Sequence, residues 1–177
     1  DNLLIYYTGH GNRRKSGAYE TGYWLPVNAQ QPPNDTYWVP TEQVSGHLAR
    51  LKATRIIVVS DSSFAGLLAD NPAFLLASDP AQLNSDAYVA LRFPNKSRLL
   101  MTSGNDYPLP RADLTGTSVF ADALVDTLKN NKSVMTAPAL FLSMIQKLEN
   151  RQPDLSPQFK AIKRAGDEVG DFFFVAR

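Results

Sequence analysis

The chain has no cysteine among its 177 residues, which removes disulfides and thiolate metal sites at the outset. Histidine is almost as scarce. His10 and His47 are the two present, and their separation matches no metal-ligand spacing, so neither a metal nor a cofactor is expected. No charge of one sign dominates: 18 Lys and Arg stand against 17 Asp and Glu, a formal net charge of +1. That gives no electrostatic footprint for a nucleic-acid partner. No apolar run approaches the roughly 20 residues needed to cross a bilayer. The start carries no charged n-region, apolar h-region and small-residue cleavage site. No membrane partner is expected, and the cytoplasm is the expected compartment. An initiator Met is missing too. Asp1 is followed almost at once by an apolar strand-like run, whereas domain ends usually carry loose polar residues. The expected reading is a piece of a longer polypeptide, forming one domain over residues 1–177.

What is present alternates between strand and helix signals. Leu3-Leu4-Ile5-Tyr6-Tyr7 is a continuous apolar run, expected to be a strand buried on both faces. It ends at Thr8-Gly9-His10-Gly11. Residues 12–40 are polar and rich in turn formers, with Gly22–Pro26 and Thr36–Pro40 as short strands or a hairpin on a long loop. Thr41 is the expected cap of a helix whose apolar stripe is Val44, Leu48 and Leu51. Arg55-Ile56-Ile57-Val58-Val59 is a second buried strand, running into the small-residue turn Ser60-Asp61-Ser62-Ser63. Residues 67–96 are irregular, and a loop of that length is usually functional or mobile. Arg98–Thr102 is a third strand. Ser118–Asn130 and Thr136–Glu149 are helices, and Asp171–Val175 is a last strand. This order argues for an α/β fold with a mainly parallel sheet flanked by helices. Ligands bind beyond the carboxyl ends of such strands, which is where His10 and Ser63 both fall.

Taken singly, these residues say little. A lone histidine is usually structural, though Gly9 and Gly11 leave bare backbone beside this one. Serines in a strand-to-helix turn are often N-caps. The Gly-x-Ser-x-Gly elbow of serine hydrolases is absent around Ser63. Their pairing is more informative. His10 precedes Ser63 by 53 positions, and caspases carry a histidine roughly 50 residues upstream of the nucleophilic cysteine.

With that spacing, Leu4-Ile5-Tyr6-Tyr7-Thr8-Gly9-His10-Gly11 resembles the histidine strand of caspase-like and metacaspase-like cysteine peptidases. Ile56 to Gly66 resembles their nucleophile strand, written Asp-Ser-Cys-x-x-Gly in bacterial members, with Ser63 in the cysteine's place. Ser103-Gly104, Ser118-Val119-Phe120 and Gly170-Asp171-Phe172-Phe173-Phe174 resemble downstream landmarks of the same group, so the likeness spans nearly the whole chain.

The resemblance implies a three-layer caspase-like sandwich and an endopeptidase acting on peptide or protein substrates. His10 would be the acid/base and Ser63 would mark the nucleophile. The Gly11 and Ser63 backbone N–H groups would form the oxyanion hole. Asp61, two residues before the nucleophile, would attract Arg or Lys, with Asp106 as a second charge and Tyr107 as a pocket wall. For Asp61 the alternative is a helix cap. Ser63 reads as a Cys→Ser change that leaves the chain inactive. The alternative is a natural pseudoprotease that binds peptides or proteins. Arg92, Lys96 and Arg98 are candidate processing cuts. Arg13, Arg14 and Lys15 are expected in a solvated loop, Trp24 and Trp38 in packing, and His47 at the surface. Family members begin with two strands and a helix that this chain lacks. A further segment or chain is expected to cover the Leu3–Tyr7 edge.

Overall fold

A computed structural model of the chain describes residues 1–69, 79–104 and 117–176. The chain runs through β1 (Asn2–Thr8), β2 (His10–Ser16), β3 (Tyr19–Leu25), β4 (Val39–Pro40), α1 (Thr41–Arg50), β5 (Arg55–Asp61), a 3-10 turn (Ala65–Leu68), α2 (Pro80–Leu83) and α3 (Asp86–Arg92). It continues through β6 (Ser97–Thr102), α4 (Val119–Lys129), β7 (Val134–Thr136), α5 (Ala137–Arg151), β8 (Gln158–Ala161) and β9 (Phe173–Val175).

The fold is mixed α/β. A central sheet in the order β1-β5-β6-β8 has β1, β5 and β6 parallel and β8 antiparallel at one edge. β5 and β6 are apolar runs without alternation because both of their faces are covered. Ile57, Val59, Leu99 and Met101 pack with Phe120, Leu124, Leu140, Phe141 and Met144 of α4 and α5. Ile56, Val58 and Leu100 face the other way, onto Leu48 of α1 and Leu68. Ser118 caps α4 by accepting from the Ala121 N–H at 2.9 Å, and Thr136 caps α5 from Ala139 at 3.4 Å. Pro138 sits in the first turn of α5, where no N–H is required. A hairpin of β2 and β3, joined by β4, forms a second small sheet, and β7 pairs with β9 in a third.

Several expectations need correction. β1 is not buried on both faces. Its residues alternate between exposed and half-buried, because Leu3 and Ile5 pack onto the cluster of Leu48 and Leu68 while Leu4 and Tyr6, on the opposite face, are only partly covered. Residues 10–16 are a strand, not a loop; their polarity hides it, since β2 is held by its register with β3 rather than by a core. Thr41 is the first helical residue of α1 and makes no side-chain cap. The expected last strand over Asp171–Val175 is present as β9, which pairs with β7. Arg98 is fully buried in β6, its guanidinium donating to the carbonyls of Leu51, Ala53, Thr54 and Ser97. A peptidase cannot reach it in the folded chain. Residues 79–92 carry two short helices where irregular chain was expected.

Candidate active site

Parallel pairing sets the geometry. Tyr6 lies opposite Val59, and Thr8 opposite Asp61, so β1 and β5 end together and release their turns at one edge of the sheet. Those turns touch. A Cβ placed on Gly11 would lie 1.8 Å from the Ser63 carbonyl oxygen, so the residue after His10 packs backbone to backbone against the Ser63 turn and must be glycine. His10 itself is exposed at the start of β2.

The three neighbouring serines differ. Ser60 and Ser62 are buried, with their hydroxyl oxygens 3.2 Å apart, and Ser62 also donates to the Ser63 carbonyl at 3.4 Å. Both are internal braces. Ser63 is half-buried at the turn. Phe64, immediately after it, has φ +58° and ψ +20°, a left-handed conformation that costs a non-glycine residue of order 1–2 kcal/mol and that clusters at functional turns. Arg13 holds this turn. Its guanidinium lies 5.2 Å from the Phe64 ring centroid and pairs with Glu20 at 2.8 Å. Arg14 pairs with Asp35 at 2.7 Å. Arg13 and Arg14 thus belong to β2 and its bracing, rather than to a solvated loop.

Two tyrosines that sequence reasoning did not assign fix the pair of turns. Strand alternation sends neighbours to opposite faces. Tyr7 stacks on Trp24 with ring centroids 4.2 Å apart, donates its hydroxyl to the His10 carbonyl at 2.8 Å and accepts from the Leu25 N–H at 3.1 Å. A Cβ on Gly9 would lie 3.0 Å from that hydroxyl, so this glycine also makes room. Tyr6 points to the other face and donates to Asp61 Oδ2 at 3.3 Å. Burial first, and then the Asp61 charge, hold the Tyr6 hydroxyl protonated far above the usual tyrosine range. Ser118, at the start of α4, donates to the same oxygen. Asp61 is therefore a half-buried carboxylate oriented by two hydroxyls. It does not cap the 3-10 turn after it, which has no side-chain cap.

Of the remaining expected site residues, Asp106 and Tyr107 lie outside the described residues. Trp38 is buried and meets Tyr23 edge-on, and His47 lies on the surface beside Arg50. Ser103, at the same sheet edge, is buried, and its hydroxyl has no partner among the described residues. Among the described residues no group of acidic, histidine or cysteine side chains is arranged to hold a metal ion, and no helix is long and apolar enough to cross a membrane.

Two concavities stand out. One, of about 620 Å³, lies between α4 and α5, where Asp126 pairs with Lys147 and Asp122 with Arg151; its charges satisfy one another. The other, of about 650 Å³, opens on Gly9, His10 and Gly11. Compared with models of known protein families and with curated proteins, the chain matches none.

Proposed function

We propose that the chain is a caspase-like cysteine endopeptidase domain that cuts after Arg or Lys, held inactive by Ser63 at the nucleophile position. The observation that carries this reading is the close packing of Gly11 on the Ser63 carbonyl, which puts a histidine and a nucleophile-type side chain on adjacent turns at the carboxyl edge of a parallel sheet.

In that chemistry a thiolate at position 63 attacks the scissile carbonyl carbon and the developing oxyanion takes the Gly11 and residue-63 N–H groups. The C–N bond breaks as His10 passes a proton to the departing amine. Water then cleaves the thioester, returning the thiol and releasing the carboxylate. A cysteine thiol with a pKa of about 8.5 reaches the thiolate readily. A serine hydroxyl needs an aligned base held by a third group. Among the described residues no carboxylate or carbonyl accepts a hydrogen bond from the His10 ring. Asp61, oriented by Tyr6 and Ser118, would pair with a cationic residue preceding the cut.

The test is Ser63→Cys assayed on fluorogenic peptides ending in Arg, Lys or Asp. Cleavage is expected after Arg and Lys, and Asp61→Asn in that background lowers kcat/KM for Arg peptides by roughly ten- to a hundredfold. Cleavage after Asp alone would remove the role given to Asp61. No cleavage of any peptide would leave the binding-module alternative.

A further inference from the structure

The sheet edge separates two surfaces. On the α4 face lies the acidic one, Asp61 with Tyr6 and Ser118. Apart from it, between the His10 turn and the segment of residues 25–32 with Trp38, lies the cavity of about 650 Å³, a volume typical of ligand clefts. The His10 turn is common to this cavity and to the candidate site.

We propose that this second groove, walled by Leu25, Val27, Gln31 and Trp38 and opening on His10, holds the neutral residues that follow the scissile bond of a peptide substrate. The inference rests on the peptidase reading and adds a second determinant of specificity to it.

Three observations carry it. The first is position. The group that protonates the departing amine is His10, so the departing segment must leave past the imidazole, and His10 is part of the groove's wall. The second is chemistry. Among the described residues lining the groove, His10 is the one ionisable side chain, and its imidazole is committed to the departing amine; the rest are neutral. Beside the groove, Arg14 and Asp35 pair with each other at 2.7 Å, and Arg14 lies against the Trp38 ring at 5.5 Å. A charged side chain entering beyond His10 would lose water without a dedicated counter-ion, whereas apolar and amide groups meet Val27, Trp38 and Gln31. The third is rigidity. The wall is tied by Ala29 N–H to the Pro26 carbonyl at 2.9 Å, Trp38 N–H to the Asp35 carbonyl at 2.9 Å, and Trp38 Nε1 to the Gln30 carbonyl at 2.9 Å. Arg14 adds a bond to the Pro33 carbonyl at 2.6 Å. A wall fixed in the unbound chain gives up little entropy when a peptide is bound.

Binding to the chain as it stands, with Ser63 preventing turnover, provides the test. Calorimetry compares a short peptide amide ending in Arg, the same peptide ending in Asp, and the Arg peptide extended by three residues. In the extended set the second added residue is Leu, Glu or Lys. The Leu-extended peptide is expected to bind about tenfold more tightly than the short Arg peptide, with little gain from Glu or Lys. Val27 is fully exposed, so its replacement leaves the fold intact. Val27→Lys is expected to strengthen the Glu-extended peptide by about fivefold, and Val27→Glu the Lys-extended one, with the short peptide unmoved. If the short Arg peptide binds and extension adds nothing, or if the Val27 changes leave every extended peptide alike, the groove has no such role and the peptidase reading stands. If Arg peptides bind no better than the Asp one, both readings are overturned.

Discussion

Gly11 shows how a single side chain, by being absent, brings the site together. Its Cα approaches the Ser63 carbonyl so closely that a methyl group would overlap a backbone oxygen, and backbone cannot swing aside as a flexible side chain can. Gly11→Ala is therefore expected to cost roughly 1–3 kcal/mol of stability and to separate the two turns. The measurement is urea unfolding of the variant, together with cleavage by Gly11→Ala in the Ser63→Cys background. Unchanged stability and unchanged cleavage would mean that the turns are not in contact. At this scale the sequence was only partly legible. His10, its flanking glycines and Ser63 carry a spacing and a local pattern that can be read along the chain. Tyr7 and Ser118 fall within segments of that pattern, but nothing there signals what they bond to. One is a strand tyrosine and the other a helix cap, and their second roles, on the His10 carbonyl and the Asp61 carboxylate, arise from the β1–β5 register and from where α4 begins.

Among the elements, the junction of α3, α5 and the segment leading into β9 holds a buried acid. Asp171 is almost fully buried. Its Oδ1 accepts from the Phe172 N–H at 2.6 Å and from the Ala137 N–H of α5 at 3.3 Å, while Oδ2 makes no hydrogen bond of normal geometry. Tyr88 and Arg92 of α3 face it, and burial outweighs these favourable contacts, raising its pKa from 3.8 to about 7. The same surroundings push Tyr88 up to about 12, by burial first and then by the Asp171 charge. A raised value in the folded state means that folding favours the protonated acid. Its contribution is thus complete below the unfolded value of 3.8 and is lost as pH climbs through about 7. Asp171→Asn keeps the acceptor for Phe172 and Ala137 and cannot ionise. Between about pH 5 and about pH 8 the unaltered chain is expected to lose more than about 4 °C in Tm relative to the variant. Parallel melting curves in matched buffers check this, and equal slopes for the two proteins would refute it. Elements were legible where burial is written as apolar runs or stripes, as in β5, β6, α4 and α5. β2, β7 and β8 were not, because short or polar strands owe their existence to partners distant in sequence.

For the molecule as a whole, the feature still to be accounted for is the free edge of the central sheet. Antiparallel β8 closes one side. On the other, β1 offers an outer row of backbone groups with no strand beside it among the described residues. The exposed face of β1 carries Leu4, 43% exposed, and Tyr6, 39% exposed, between Asn2 and Thr8. Such an edge is a template for another strand. The resemblance to caspase-like peptidases led to the expectation that a further segment or chain covers it, and the unpartnered outer edge of β1 among the described residues supports that proposal. Alone, the chain is then expected to self-associate as its concentration rises. Lysine is the residue natural edges use to prevent such pairing. Leu4 points away from the core, so Leu4→Lys spares the fold, removes apolar area and sets like charges against each other across the paired edge. It is expected to weaken association by roughly tenfold in dissociation constant. Sedimentation velocity over a concentration series measures this. A concentration-independent coefficient for the unaltered chain, or equal association of both proteins, would show that the β1 edge is protected without a second strand.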